Sequence, residues 1–294
     1  METLEKLKSR IESTRDMQSV VRTMKSLAAV NIREYEQAVE STREYSRTVE
    51  LGMHTVMRLQ PEERDIGMES EQGRAAAVVF GSEQGMAGRF NQQLTEYAAG
   101  YIENNMGQDT LIVSVSERMT GSLEHAGYTV EEIFPMSGPS ADISSNMHEL
   151  AVSIGSWRGK YGVRQIILFH NTPSGGSSYE PNAHQILPLS AEWLQDLQDT
   201  PWPSESLPLC ITKPEELFSS LVHEFIFISL YRTFIESLAS ENASRLAAMQ
   251  AAEKNIEDRL GSLMTRYHGR RQSAITAELL DITAGFEAIK ETVR

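Results

Sequence analysis

One cysteine, a shortage of basic residues and the absence of long apolar runs limit what this sequence can encode. The lone Cys210 excludes an internal disulfide bond and is compatible with a reducing compartment. The net charge of -14 and the isoelectric point near 5.0 argue against general binding to nucleic acid or anionic lipid, since both are polyanions. No window approaches the roughly 18 continuous apolar residues of a membrane span. The longest candidate, residues 221–232, is interrupted by His223 and Glu224.

The amino-terminal segment lacks helix-breaking residues. It has no glycine before Gly52 and no proline before Pro61. Apolar residues recur at steps of three and four from Leu4 to Val56, with polar residues on the other face, which predicts a helix over residues 1–59. Even about 40 helical residues extend about 60 Å at ~1.5 Å per residue. Such a helix needs an equally long packing partner. Its first residues resemble neither a secretion signal nor a transit peptide.

The central segment, residues 74–205, predicts an α/β domain. Short apolar runs that end in turn residues, such as "AAAVVFGSEQGMAG" and "VRQIILFHNTPSG", alternate with helical patterns such as "FNQQLTEYAAGYIENN". This alternation indicates a mostly parallel sheet covered by helices. The segment "NAHQILPLS" predicts a further strand, and the Pro- and Ser-rich residues 199–210 predict a linker.

A second long helical pattern occupies residues 213–294, with Pro214 well placed at its start. We expect a turn at residues 268–272 to interrupt it. The two terminal helices are expected to pair as an antiparallel coiled coil. Residues 236–255, "ESLASENASRLAAMQAAEKN", are rich in alanine and serine, and small residues at a seam permit close approach of helices. Few large apolar residues remain for packing, so we expect another protein to surround this stretch and pack against it.

The motifs that suggest chemistry are weak. Gly81, Gly85 and Gly88 follow a strand and precede a helix, where backbone amides can approach phosphate, but their spacing does not match a dinucleotide motif. A tight strand-to-helix turn is favoured. Residues 171–182 predict a surface loop. The histidines, which lack metal-ligand spacing or acid–base partners, are His54, His125, His148, His170, His184, His223 and His268. No catalytic residue, metal or cofactor is predicted.

The terminal motifs resemble a known family. Residues 236–255 followed by "RRQSAITAELLDITAGFEAI" closely resemble the carboxyl-terminal signature of the gamma subunit of rotary F-type ATP synthases, and "RIESTRDMQSVVRTMKSLAA" is similar to the first helix of that family. Weaker similarities lie at "GSEQGMAGRFN" and "QILPLS". The resemblance covers essentially the whole chain.

The resemblance implies a fold and a role. The fold would be mixed α/β, an antiparallel coiled coil of long terminal helices with an inserted Rossmann-like domain. The chain would be a non-catalytic central shaft inside a ring of three alpha and three beta subunits. It would couple proton or sodium flow through a membrane c-ring to ATP synthesis or hydrolysis. It would also meet an epsilon subunit, at the cytoplasmic face of a bacterial membrane and without a span of its own.

The family's contact residues map onto specific positions of this chain. Those implied to meet the alpha and beta subunits are Met24, Lys25, Arg33, Arg271, Gln272, Thr276 and Glu278. Those implied to lie at a turn of the α/β domain, near epsilon and the c-ring, are Glu83, Gly85, Gly88 and Asn91.

Some positions depart from the family pattern. Glu83 and Gln84 replace an Asp-Arg pair, Arg89 replaces a second glycine, and residues 30–40 are more acidic than is usual. These departures allow a divergent or alternative ATPase, including one coupled to sodium. Two other functions stay open: a nucleotide- or small-molecule-binding α/β domain with helical dimerisation arms, and a self-associating coiled-coil protein.

Overall fold

The computed structural model describes residues 3–59, 73–136, 140–175, 178–202 and 210–292. The elements in chain order are α1 (Leu4–Leu59), β1 (Arg74–Phe80), α2 (Phe90–Asn105), β2 (Leu111–Val115), α3 (Glu117–His125), β3 (Glu132–Phe134), α4 (Ser140–Tyr161), β4 (Val163–Gly175), β5 (Ser178–Leu187), α5 (Ala191–Asp199) and α6 (Pro214–Thr292). The chain divides into two compact units. One combines the residues up to Leu27 with those from Leu246 onward, and the other is Ala28–Arg245.

The two terminal helices are long and unbroken. α1 has 56 residues and α6 has 79. α6 begins at Pro214, where a missing backbone N–H costs no helical hydrogen bond. The predicted turn at residues 268–272 is wrong, because α6 continues through it. The segment contains no proline, and its one glycine, Gly269, costs a helix only about 1 kcal/mol.

The strands form one five-stranded sheet in the order β3-β2-β1-β4-β5. β1 runs parallel to both β2 and β4, with Val78 opposite Val113 on one side and Leu168 on the other. β2 is also parallel to β3, whereas β5 pairs antiparallel with β4 at the edge. The prediction of a mixed α/β fold with a mostly parallel sheet and long terminal helices is confirmed.

The two faces of the sheet carry separate cores. On one face, Val78 and Phe80 of β1 pack in a cluster that includes Trp157 of α4 and Phe234 of α6. The Phe80 and Phe234 rings meet edge to face with their centroids 6.5 Å apart. On the other face, Val79 of β1 packs in a second cluster with apolar residues of the neighbouring strands, α2 and α3. α6 therefore fills part of the core of the α/β domain.

The predicted surface loop at residues 171–182 is wrong in its described part. β4 extends to Gly175 and β5 starts at Ser178, so these residues form a hairpin with Thr172 opposite Glu180. Tyr179 anchors the hairpin. Its ring lies 5.4 Å from that of Phe90, and its hydroxyl donates to Gln93 Oε1 at 2.7 Å.

Two short helices were not predicted. The Ser116 hydroxyl accepts a hydrogen bond from Met119 N at 3.1 Å and caps α3, and the Ser190 hydroxyl accepts one from Trp193 N at 3.4 Å and caps α5. Within the predicted linker, residues 203–209 lie outside the described part of the chain.

The small residues of α6 meet the chain's own α/β domain. Every residue from Ser237 to Arg245 is buried. The Ser237 hydroxyl donates to Phe80 O at 3.3 Å, and the Ser240 hydroxyl donates to Asn171 O at 2.8 Å. Short side chains let the helix approach β1 and β4 closely, so that its serine hydroxyls hydrogen-bond strand carbonyl groups. The expectation that another protein packs this stretch is therefore wrong for residues 237–245.

Candidate functional site

The first candidate surface lies in the unit formed by the two chain ends. There Leu7 and Ile11 of α1 pack with Leu263 of α6. Further along α1, Arg22 Nε lies 2.9 Å from Glu253 Oε1. Since the partner number on α6 falls as the residue number on α1 rises, the two helices run antiparallel in this unit.

Two of the family-implied contact residues lie on α1 in this helix pair. Met24 and Lys25 are both half-buried. The Lys25 ammonium donates a hydrogen bond to the Glu253 carboxylate. Hydrogen bonds from Lys25 and Arg22 lower the pKa of Glu253 and keep it ionised. Lys25 therefore has a carboxylate partner within its own chain.

The carboxyl-terminal part of α6 is bare. Every residue from His268 to Ala284 is exposed. Four of the family-implied contact residues lie here, namely Arg271, Gln272, Thr276 and Glu278. Large apolar side chains interleave with them, with exposed fractions of 47% for Ile275, 59% for Leu279, 64% for Leu280 and 63% for Ile282. We call residues 268–284 the bare segment.

A helix exposed on all sides has little to stabilise it in water. An isolated helix of this length is marginal, and most helical stability in proteins comes from packing of an apolar face. Adjacent exposed Leu and Ile side chains are typical of an interaction surface rather than of a solvated face. The bare segment therefore has the character of an interaction surface.

The second candidate surface is the glycine turn after β1, residues Gly81–Asn91, in the other unit. The Asn91 side chain closes it, accepting from Ser82 N at 2.8 Å and donating to Ser82 Oγ at 3.0 Å. Gly88 has φ of +60°, a conformation that L side chains rarely adopt. This matches the prediction of a tight strand-to-helix turn.

A carboxylate of α6 accepts hydrogen bonds from the backbone amides of this turn. Glu241 accepts hydrogen bonds from Glu83 N and from Gln84 N, each at 2.9 Å. The Glu241 side chain is only 1% exposed, and its charge is compensated by Arg245, whose guanidinium donates to it. The amides that a phosphate would need are thus filled by a carboxylate from the same chain.

Arg245 ties the turn to α6 a second time. Its Nε donates to Gly85 O at 3.3 Å and its Nη1 donates to Asn242 Oδ1 at 3.0 Å. Burial, with smaller contributions from the nearby carboxylates, raises the pKa of Glu83. We call Glu241, Arg245 and the turn residues that they bind the clasp.

A cavity of about 360 Å³ lies beside α6 in the same unit, and His170, Arg232 and Glu236 are among its lining residues. His170 Nε2 lies 2.9 Å from Glu236 Oε2, and Arg232 Nε donates to Glu236 Oε1 at 2.7 Å. Burial alone would raise the pKa of Glu236, but hydrogen bonds from His170 and Arg232 outweigh it and lower the pKa. An ionised Glu236 serves as a hydrogen-bond acceptor and is unsuited to act as a general acid.

The structure places Met24, Lys25 and the four contact residues of the bare segment in the unit formed by the chain ends, and the glycine-turn residues in the other unit. Arg33 is exposed on α1 in the unit that holds the glycine turn. Sequence analysis missed Glu241, Arg245 and the His170–Glu236 pair. An acid and a base four residues apart in an alanine- and serine-rich helix were the available signal for the first two. Across the described residues, no group of three or more His, Cys, Asp or Glu side chains could hold a metal ion.

The fold and these surfaces define a protein with an α/β domain inserted between two long terminal helices, one of which carries the bare segment. The family model described as ATP synthase matches residues 3–289. The chain belongs to this family.

Curated relatives support the same conclusion. The ATP synthase gamma chain of Salinibacter ruber is 28% identical, over 99% of this chain and 100% of the relative. That of Syntrophus aciditrophicus is 27% identical, over 98% and 99% respectively. The resemblance to the gamma-subunit family is thereby confirmed.

Solved structures share the fold. A chain from the mitochondrial ATP synthase of Euglena gracilis, solved with OSCP, F1 and c-ring, has a TM-score of 0.62 at 15% identity, covering 97% of this chain and 94% of that chain. A chain from the central stalk and c-ring of the Tetrahymena thermophila enzyme has a TM-score of 0.56 at 17% identity, covering 79% and 99%.

Proposed function

We propose that this chain is the central rotor shaft of an F-type ATP synthase. It couples ion flow through a membrane c-ring to ATP synthesis or hydrolysis in a ring of three alpha and three beta subunits. The observation that carries the proposal is the bare segment, whose exposed apolar and polar side chains need a surrounding partner. A ring of subunits around residues 268–284 supplies such a partner.

The chain acts mechanically and without catalytic residues of its own. A shaft whose sides differ makes different contacts with three otherwise identical catalytic subunits, so its rotation changes which of them is favoured. The occupied amides of the glycine turn support this role, because they leave no free phosphate cradle there. For the same reason, no observation favours the alternative of a nucleotide-binding domain.

The contacts with the alpha and beta subunits come from both terminal helices. Arg271, Gln272, Thr276 and Glu278 meet loops of the alpha and beta subunits. Arginine suits this task because its planar guanidinium pairs with carboxylates through two hydrogen bonds. Met24 and Arg33 are further contacts on α1. The Lys25 ammonium can contact an acidic beta loop in two ways. It either binds the loop and Glu253 together or breaks its hydrogen bond to Glu253.

The α/β domain, residues 74–205 in the sequence-based division, meets the epsilon subunit and the c-ring through its glycine turn. Glu83, Gly85, Gly88 and Asn91 line this contact. Within the described residues, no helix is long and apolar enough to cross a bilayer. Contact with the c-ring holds the chain peripherally, at the cytoplasmic face of a bacterial membrane.

Co-expression with alpha and beta subunits from the same source tests the proposal. We expect one copy of the chain per three beta subunits. We also expect Arg271→Ala/Gln272→Ala to lower ATPase turnover several-fold with no change in the unfolding temperature, since both side chains are exposed. Arg259→Ala is the matched control, because it removes an exposed arginine of α6 outside the bare segment. Failure to form a complex, with nucleotide binding by the isolated chain, would contradict the rotor role.

A further inference from the structure

We infer that the clasp is the joint through which the α/β domain and α6 turn as one body, with Glu241 as its positioning residue. The inference rests on the proposed function, because only a rotor has to transmit torque between its parts. It assigns that transmission to a small set of buried, directional contacts rather than to apolar packing.

One face of α6 carries the polar contacts with the α/β domain. Ser237, Ser240, Glu241, Ser244 and Arg245 follow the three- and four-residue spacing of one helix face. Each bonds the α/β domain at β1, at β4 or within the glycine turn. Among these contacts, the Ser244 hydroxyl donates to Ala87 O at 2.6 Å.

The hydrogen bonds of the clasp are directional. Apolar contact is non-directional, so it resists separation of two surfaces better than it resists their sliding. Hydrogen bonds weaken steeply once their angle falls below about 120°, and those that involve an ionised group are stronger. A helix held by such bonds on one face resists rotation about its own axis. The clasp places two charged side chains, both at least nine-tenths buried, at this point.

Glu241 positions both the backbone of the glycine turn and the Arg245 side chain. Its two oxygens accept from the successive amides of Glu83 and Gln84 and fix the path of the turn. Arg245 then bonds Gly85 O from the same side. Removing the Glu241 charge leaves Arg245 buried without its carboxylate, so turn and helix lose their common anchor.

The test measures torsional stiffness in the assembled complex. The alpha/beta ring is fixed to a surface and arrested with nucleotide, and a gold rod is attached to Asn104→Cys on α2 in a Cys210→Ser background. The angular fluctuation of the rod reports the stiffness between ring and α/β domain. With Glu241→Gln we expect the variance of the angle to rise about two-fold or more, because thermal amplitude grows as a joint softens.

Glu132→Gln is the matched control. Glu132 is a carboxylate of the α/β domain that is 21% exposed, and it accepts hydrogen bonds from Trp157 Nε1 at 3.2 Å and Tyr161 Oη at 3.1 Å. We expect it to lower the unfolding temperature of the domain while leaving the angular variance as in the wild type. A merely structural role for Glu241 predicts the same pattern for Glu241→Gln, and that result would overturn the inference.

Ser244→Ala is the second variant, in case Glu241→Gln does not assemble. It removes one hydroxyl of the same face, which donates to Ala87 O and lies 3.2 Å from Tyr179 Oη, but it leaves the charged pair intact, so we expect a smaller rise in variance. An unchanged variance in Ser244→Ala, when Glu241→Gln cannot be measured, also overturns the inference. Failure of the wild-type chain to enter the ring would instead refute the proposed function, so the two failures are distinguishable.

Discussion

Replacing apolar side chains of the bare segment should weaken binding to the alpha/beta ring without unfolding the chain. The test variant is Leu279→Gln/Ile282→Gln, because glutamine is a good helix former and its side chain is of similar length to those it replaces. Leu279 and Ile282 are 59% and 63% exposed. Complete burial of such a side chain contributes about 1.5–3 kcal/mol, so burying the exposed six-tenths contributes about 1–2 kcal/mol each. Together they contribute about 2–4 kcal/mol, or about 30- to 700-fold in Kd.

The assay is a titration of an immobilised alpha/beta ring with the purified chain, read as Kd, alongside thermal unfolding of the chain alone. Val152→Gln is the matched control, because Val152 is apolar and 63% exposed but lies on α4. We expect it to leave Kd unchanged. If the double variant binds as tightly as the wild type, the bare segment is not the ring-binding surface and the proposed function loses its main support.

Two further predictions concern the glycine turn. Gly81→Ala should destabilise the α/β domain by about 1–3 kcal/mol in urea unfolding, because the added Cβ would lie 2.3 Å from Met119 Cβ; an unchanged midpoint would refute the close packing. Glu83→Gln should stabilise the chain at neutral pH, because the raised pKa of Glu83 means that its ionised form is disfavoured in the folded state. The gain should shrink as pH falls through the raised pKa toward 4.5, where wild-type Glu83 becomes neutral; a gain independent of pH would argue against the charge as its cause.

The terminal helices and the central strands could be predicted from sequence because their apolar periodicity is local. The step of three and four residues through Leu7 and Ile11 is visible without knowledge of their partners. The alternation of strand and helix likewise indicated the parallel sheet. The hairpin at residues 171–182 was missed because glycine and serine dominate its tip, whereas its order depends on Tyr179 packing on the distant Phe90.

The clasp could not be predicted, since it depends on contacts between residues about 160 positions apart. Nothing local shows that Glu241 will lie under the amides of Glu83 and Gln84. The composition of residues 236–255 indicated close approach, but not whether the approaching surface belonged to this chain or to another. In the structure, residues 237–245 pack against the chain's own α/β domain, whereas the bare segment is exposed.

The contribution of α6 to the core has a consequence for synthesis on the ribosome. Phe234 and Leu238 complete the face of the sheet that carries Val78 and Phe80, yet they are translated more than 150 residues later than β1. Until these residues emerge from the ribosome, that face of the nascent domain exposes apolar side chains, and such surfaces are prone to aggregation. The domain therefore finishes folding late, and a chain truncated before residue 234 should depend on chaperones for its solubility.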